Sequence, residues 1–111
     1  MILRFIIAIF VLAGTWQSSF SQTAEVYRFG IGLESCAHWL SHPQTESAGA
    51  NWILGYWSGM NVFHSDNHMV GSKTDGDAII GEVRKICNQS PSTNLNEAIS
   101  AVYLNFQQQN K

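Results

Sequence analysis

The sequence is short of almost everything that marks a catalytic or nucleic-acid-binding chain. It has only two cysteines, two prolines and six Lys/Arg in 111 residues, and its formal net charge is −2. Without a basic surplus it lacks the electrostatic footprint that binding to phosphate backbones requires. No phosphate-cradling glycine loop, dinucleotide fingerprint or glycine-framed nucleophile elbow is present. Ser35 adjoins Cys36 and Ser58 lies between Trp57 and Gly59, neither in such an elbow, and the eight carboxylates are scattered singly, so no acid–base pair is signalled. No apolar run approaches the roughly 20 residues needed to span a bilayer. These absences predict a non-enzymatic protein with no cofactor, no nucleic-acid partner and no membrane span.

The longest apolar run present, Phe5 to Ala13, lies at the start. Arg4 precedes it, and the polar, small-residue stretch Gly14-Thr15-Trp16-Gln17-Ser18-Ser19-Phe20-Ser21 follows. That order of charge, apolar core and small-residue exit is the pattern of a cleavable signal peptide. Ser19 and Ser21 occupy the −3 and −1 positions of a cut before Gln22; Ala24 offers a second exit, with Gln22 a poorer −3 residue. The expected organisation is a signal peptide over residues 1–21 and one domain over residues 22–111, periplasmic or secreted. A domain this small has a core of modest size and gains much from a covalent staple. Export places the chain where disulfides persist, so Cys36 and Cys87 are expected to pair.

Helical periodicity dominates the remainder. Ile79, Ile80, Val83, Ile86 and Cys87 trace one face of a helix over 75–88, capped by Thr74 or Asp75, with Arg84 and Lys85 placed in its last turn. Leu95, Ala98, Ile99, Val102 and Phe106 trace another, opened by an Asn94/Glu97 capping-box-like pair. Residues 48–63 are apolar nearly all round and read as the buried centre of the domain. Gly55 and Gly59, one turn apart, read there as a close-packing device. A short first helix over 33–40 is expected to stop at Pro43, and 64–74 has no period and reads as an exposed loop. The resulting expectation is an all-α, four-helix, single-domain bundle with one disulfide tying the first helix to the third.

Two kinds of residue stand out as binding candidates. His38 and His42 are four apart, as are His64 and His68; such spacing can chelate a metal on a helix, but the second pair falls in the loop and Pro43 distorts the first. The histidines are therefore read as surface groups, with His64 and His68 the metal candidates if any are. The aromatics are richer: Trp39, Trp52, Tyr56 and Trp57 are expected either in the core or on a surface that grips a protein partner, unfolded clients or a second copy of the chain.

The stretch Ser35-Cys36-Ala37-His38-Trp39-Leu40, the central Trp52-Ile53-Leu54-Gly55-Tyr56-Trp57-Ser58-Gly59-Met60-Asn61, and Ile80-x-x-Val83-x-x-x-Cys87-x-x-x-Pro91-x-x-x-Leu95-x-x-Ala98 together resemble the HdeA/HdeB-type periplasmic acid-stress chaperones. The resemblance runs from about Leu33 to Phe106. It implies a small helical domain with one disulfide that acts as an acid- or stress-responsive holdase. The Gly55-Tyr56-x-x-Gly59 stretch is also similar to Tai-type immunity proteins, which implies instead a module that binds and inhibits one specific partner.

Overall fold

The computed structural model describes residue 14 and residues 26–63 and 66–111; the rest of the signal-peptide segment and His64 lie outside the described residues. Four helices follow in order: α1 Cys36–Trp39, α2 Pro43–Phe63, α3 Gly76–Gln89 and α4 Leu95–Gln108, with a 3₁₀ turn at Ile31–Leu33 ahead of them. No β-strand forms among the described residues; an isolated bridge joins Ser35 to Asn94. The chain is thus a small all-α domain.

Ser35 caps α1, its side chain accepting from the His38 N–H at 3.1 Å. The first helical N–H groups, which have no partner within the helix, are taken up from outside it. Cys36 N–H donates to the Thr93 carbonyl at 2.7 Å and Ala37 N–H to the Pro91 carbonyl at 2.9 Å. These bonds seat α1 on the α3–α4 turn. The Cys36–Cys87 disulfide, with a Cα–Cα distance of 5.0 Å, then fixes α1 to α3 as expected.

Pro43 does not end the first helix; it begins the second. Proline has no N–H to lose at the first helical position and its φ suits that turn. His42 stays outside both helices, exchanging hydrogen bonds with the Thr45 hydroxyl. The expected α1 therefore shrinks, and α2 starts five residues earlier than its apolar pattern suggests.

Helix α3 forms as its periodicity predicts: the Asp75 side chain accepts from the Ala78 N–H at 2.8 Å, and Ile79, Val83 and Cys87 are buried. It runs on to Gln89, leaving Arg84 and Lys85 short of the last turn. At α4 the expected capping box is missing, because the Asn94 side chain makes no cap bond. The Leu95 N–H is instead satisfied across the chain, by the Glu34 carbonyl at 2.9 Å. The predicted stripe Leu95, Ala98, Ile99, Val102 and Phe106 is buried throughout, joined by Tyr103.

The core centres on the disulfide, Trp39, Ile53, Trp57, Val83, Leu95, Ile99, Tyr103 and Phe106. Trp57 meets Tyr103 and Phe106 edge to face, with centroids 4.9 and 5.3 Å apart. Trp39 lies on α2 at Gly49, where any Cβ would collide with the indole. Helix α2 departs from the expectation of an all-round buried centre. Only Gly49, Ile53 and Trp57 are buried, Val62 and Phe63 are exposed, and a Cβ on Gly55 or Gly59 would meet nothing within 4 Å. The glycine pair packs against nothing among the described residues; it marks an open helix face there.

Within the aperiodic stretch after α2, residues 66–74 are pinned at Val70. The Val70 carbonyl accepts from the Trp57 indole N–H at 2.8 Å and from Asn61 Nδ2 at 3.0 Å, and Val70 itself is buried.

Candidate binding site: an aromatic cradle on α2

The four aromatic candidates separate into two pairs. Trp39 and Trp57 are core residues, 0% and 4% exposed. Trp39 donates its indole N–H to the Glu46 carbonyl at 3.0 Å and carries the Arg84 guanidinium 5.2 Å from its ring centroid. Trp52 and Tyr56, one turn apart on α2, come to the surface. Their rings stack with centroids 5.0 Å apart and planes 12° from parallel.

What completes the site is the segment ahead of the 3₁₀ turn, residues 26–33, which lies as a strap against α2. The Trp52 indole N–H donates to the Phe29 carbonyl at 2.8 Å. Arg28 donates from Nε and Nη2 to the Tyr56 hydroxyl at 3.2 and 3.0 Å. The close approach depends on Gly32, because a Cβ there would overlap the Trp52 ring. Gly30, with φ of 87°, turns the chain into the 3₁₀ turn in a backbone conformation that favours glycine.

Strap and helix form an open hollow of about 420 Å³ lined by Val26, Tyr27, Arg28, Phe29, Trp52, Gly55 and Tyr56. Its lining is almost wholly apolar apart from the Arg28 head. Tyr27 and Phe29 meet edge to face at 5.0 Å, yet they remain 82% and 77% exposed. Large aromatics held this far into solvent within one short segment form the kind of exposed apolar patch that marks interaction sites. Beyond Gly55 the same helix face continues through Gly59 to Val62 and Phe63.

Periodicity could not reveal the strap, since residues 26–33 follow no helical or strand pattern. The available signal was local: aromatic residues on both sides of Arg28, followed at once by Gly30 and Gly32, mark a turn that carries large side chains.

The histidines contribute to no comparable arrangement. His38 and His42 are exposed on and after α1. His68 is exposed and its Nδ1 lies 2.7 Å from the Asn61 carbonyl, which makes that nitrogen the N–H donor. No group of three or more His, Cys, Asp or Glu gathers among the described residues. No helix among the described residues is long and apolar enough to cross a membrane. Compared with family models, curated proteins and solved structures, the chain matches none.

Proposed function

We propose that the chain is an exported, non-catalytic binding protein that seats an apolar segment of a protein partner in the cradle formed by residues 26–33 and α2. The observation that carries this reading is the contrast within the cradle. Trp52 and Tyr56 are fixed by stacking and by hydrogen bonds to the strap, while Tyr27 and Phe29 stand exposed beside them. Aromatic anchors already held in place lose little freedom on binding, which favours affinity. Export is supported by the charge–apolar–small order of residues 1–21, and a disulfide accords with a periplasmic or secreted location.

The test is a titration of the ¹⁵N-labelled, oxidised domain with a short apolar peptide containing Leu and Phe. Amide shifts concentrated at Trp52, Gly55 and Tyr56 support the reading. Gly55→Leu, whose Cβ enters open space and whose side chain would occupy the floor of the hollow, should abolish them. Shifts spread evenly over the surface would sink it.

A second reading, the acid-responsive holdase, draws on the resemblance to HdeA/HdeB-type proteins and on the charge balance of residues 22–111. In acid, five Lys/Arg and four histidines leave that stretch strongly positive, and self-repulsion opens the bundle. Light scattering from a denaturing client at about pH 3 and about pH 7 separates the readings. Suppression confined to acid favours the holdase; a cradle that binds at neutral pH without suppressing scattering favours the specific module.

A further inference from the structure

We propose that the α3–α4 face carries a second docking groove, independent of the cradle, whose occupant is an acidic protein segment bearing apolar anchor residues. Two hollows, of about 360 and 280 Å³, lie along this face, and Glu82 and Phe106 line both of them. Ile86, Val102 and Phe106 give the floor its apolar character. Neither hollow is enclosed, which suits a stretch of chain better than a small molecule.

The rim decides what kind of chain. The protein is acidic overall, yet Lys85 lines the first hollow and Lys73 and Lys111 line the second, three of its six Lys/Arg. Lys85 and Glu82 pair with each other at 2.9 Å. Lys73 gives its ammonium to the Asn110 carbonyl at 2.8 Å, and Lys111 Nζ stands 5.4 Å from the Phe106 ring centroid. Neither of these two ammonium groups meets a carboxylate among the described residues. Phe106 lines both hollows, so a segment that rests an apolar residue on the first floor, of Ile86, Val102 and Phe106, brings its carboxylates to Lys73 and Lys111 in the second. A basic segment finds the Glu82 charge already taken up by Lys85. Complementarity of this kind sets which partner is accepted and how fast it arrives.

The probe is the hexapeptide Asp-Glu-Phe-Leu-Asp-Glu with blocked ends, titrated into the ¹⁵N-labelled, disulfide-intact protein beside a counterpart with Lys replacing each acidic residue. The expected result is shifts at the Ile86, Val102 and Phe106 amides with the acidic peptide alone. Affinity should fall severalfold from about 0.05 to about 0.5 M salt. It should fall about tenfold in the Lys73→Glu, Lys111→Glu double variant, whose fold is checked by circular dichroism. Gly55→Leu should change none of this, so failure here and failure of the cradle are told apart. Equal binding of both peptides, or shifts centred on the cradle, would overturn the proposal. Shifts at these amides that follow protein concentration alone would also overturn it, since a second copy would then be the occupant.

Discussion

The hydroxyl of Tyr103 on α4 donates to Asn61 Oδ1 on α2 at 2.8 Å, across 42 positions of chain. The other end of the same amide, Nδ2, donates to the Val70 carbonyl, which also accepts from the Trp57 indole. One amide thus links two helices to the 66–74 stretch, and no isosteric apolar side chain can replace it. Asn61→Leu should destabilise the domain by about 1–3 kcal/mol, because it removes the acceptor for the Tyr103 hydroxyl and one of two donors to the Val70 carbonyl. Urea midpoints measure this. Hydrogen exchange should show the protection loss concentrated at residues 66–74; a uniform loss would mean that the amide does not hold that stretch.

Burial also raises the pKa of the Tyr103 phenol above its ordinary value. The sign follows from linkage. The unfolded chain gives up this proton near pH 10, before the folded protein does, so stability is full below about pH 10 and declines as pH rises through the folded value. Tyr103→Phe removes the titration and the bond to Asn61. It should cost about 1 kcal/mol at neutral pH and flatten part of the decline above about pH 10. Urea midpoints of both proteins across that range decide it: parallel declines would assign the alkaline loss to other groups.

How much of this was legible beforehand varies with the reach of each interaction. Helix α3 was readable because its cap, Asp75, and its buried face, Ile79, Val83 and Cys87, are all local features. The start of α2 was not, because Pro43 serves equally as a helix stop or a first residue, and which it becomes depends on where Trp39 lies against Gly49. Asn94 opens α4 as its residue type suggests, yet the bond that satisfies Leu95 comes from Glu34, about sixty positions away. The Gly55/Gly59 spacing is the same on a packed helix face and on an open one, so spacing alone could not say which it is. For the aromatics, composition showed their weight, while the division into core (Trp39, Trp57) and surface (Trp52, Tyr56) needed the strap, whose course is set by contacts with α2.

The disulfide closes a loop of 51 residues, which in the chain-entropy model stabilises by about 4 kcal/mol. In a domain whose total stability is of the order of 5–15 kcal/mol, that is a large share. Cys36→Ser with Cys87→Ser, or reduction of the native protein, should lower the urea midpoint accordingly. Because Cys36 and Ala37 remain tied by their N–H groups to Thr93 and Pro91, α1 should stay docked below the midpoint. Far-UV dichroism unchanged in the folded baseline, with a shifted midpoint, is the expected pair of results. An unshifted midpoint would mean that the α1 docking bonds already restrict the unfolded chain.

Asn96 is 9% exposed on α4, and its Oδ1 has no hydrogen-bond partner among the described residues. A buried acceptor left unmade costs about 1–3 kcal/mol, so its removal relieves a penalty even as some packing is lost. Most polar-to-alanine changes in a core-facing position of a helix destabilise; here the two terms oppose, and alanine adds helix propensity of a few tenths of a kcal/mol. Asn96→Ala should therefore leave the urea midpoint unchanged or raise it by the equivalent of up to about 1 kcal/mol. Ser100, whose hydroxyl donates to the Asn96 backbone carbonyl at 2.9 Å, keeps that bond in the variant. A clear loss of stability would show that the side-chain amide is engaged in solution, and ¹⁵N relaxation of its Nδ2 group, slow or fast, would locate the engagement at that side chain or in the packing around it.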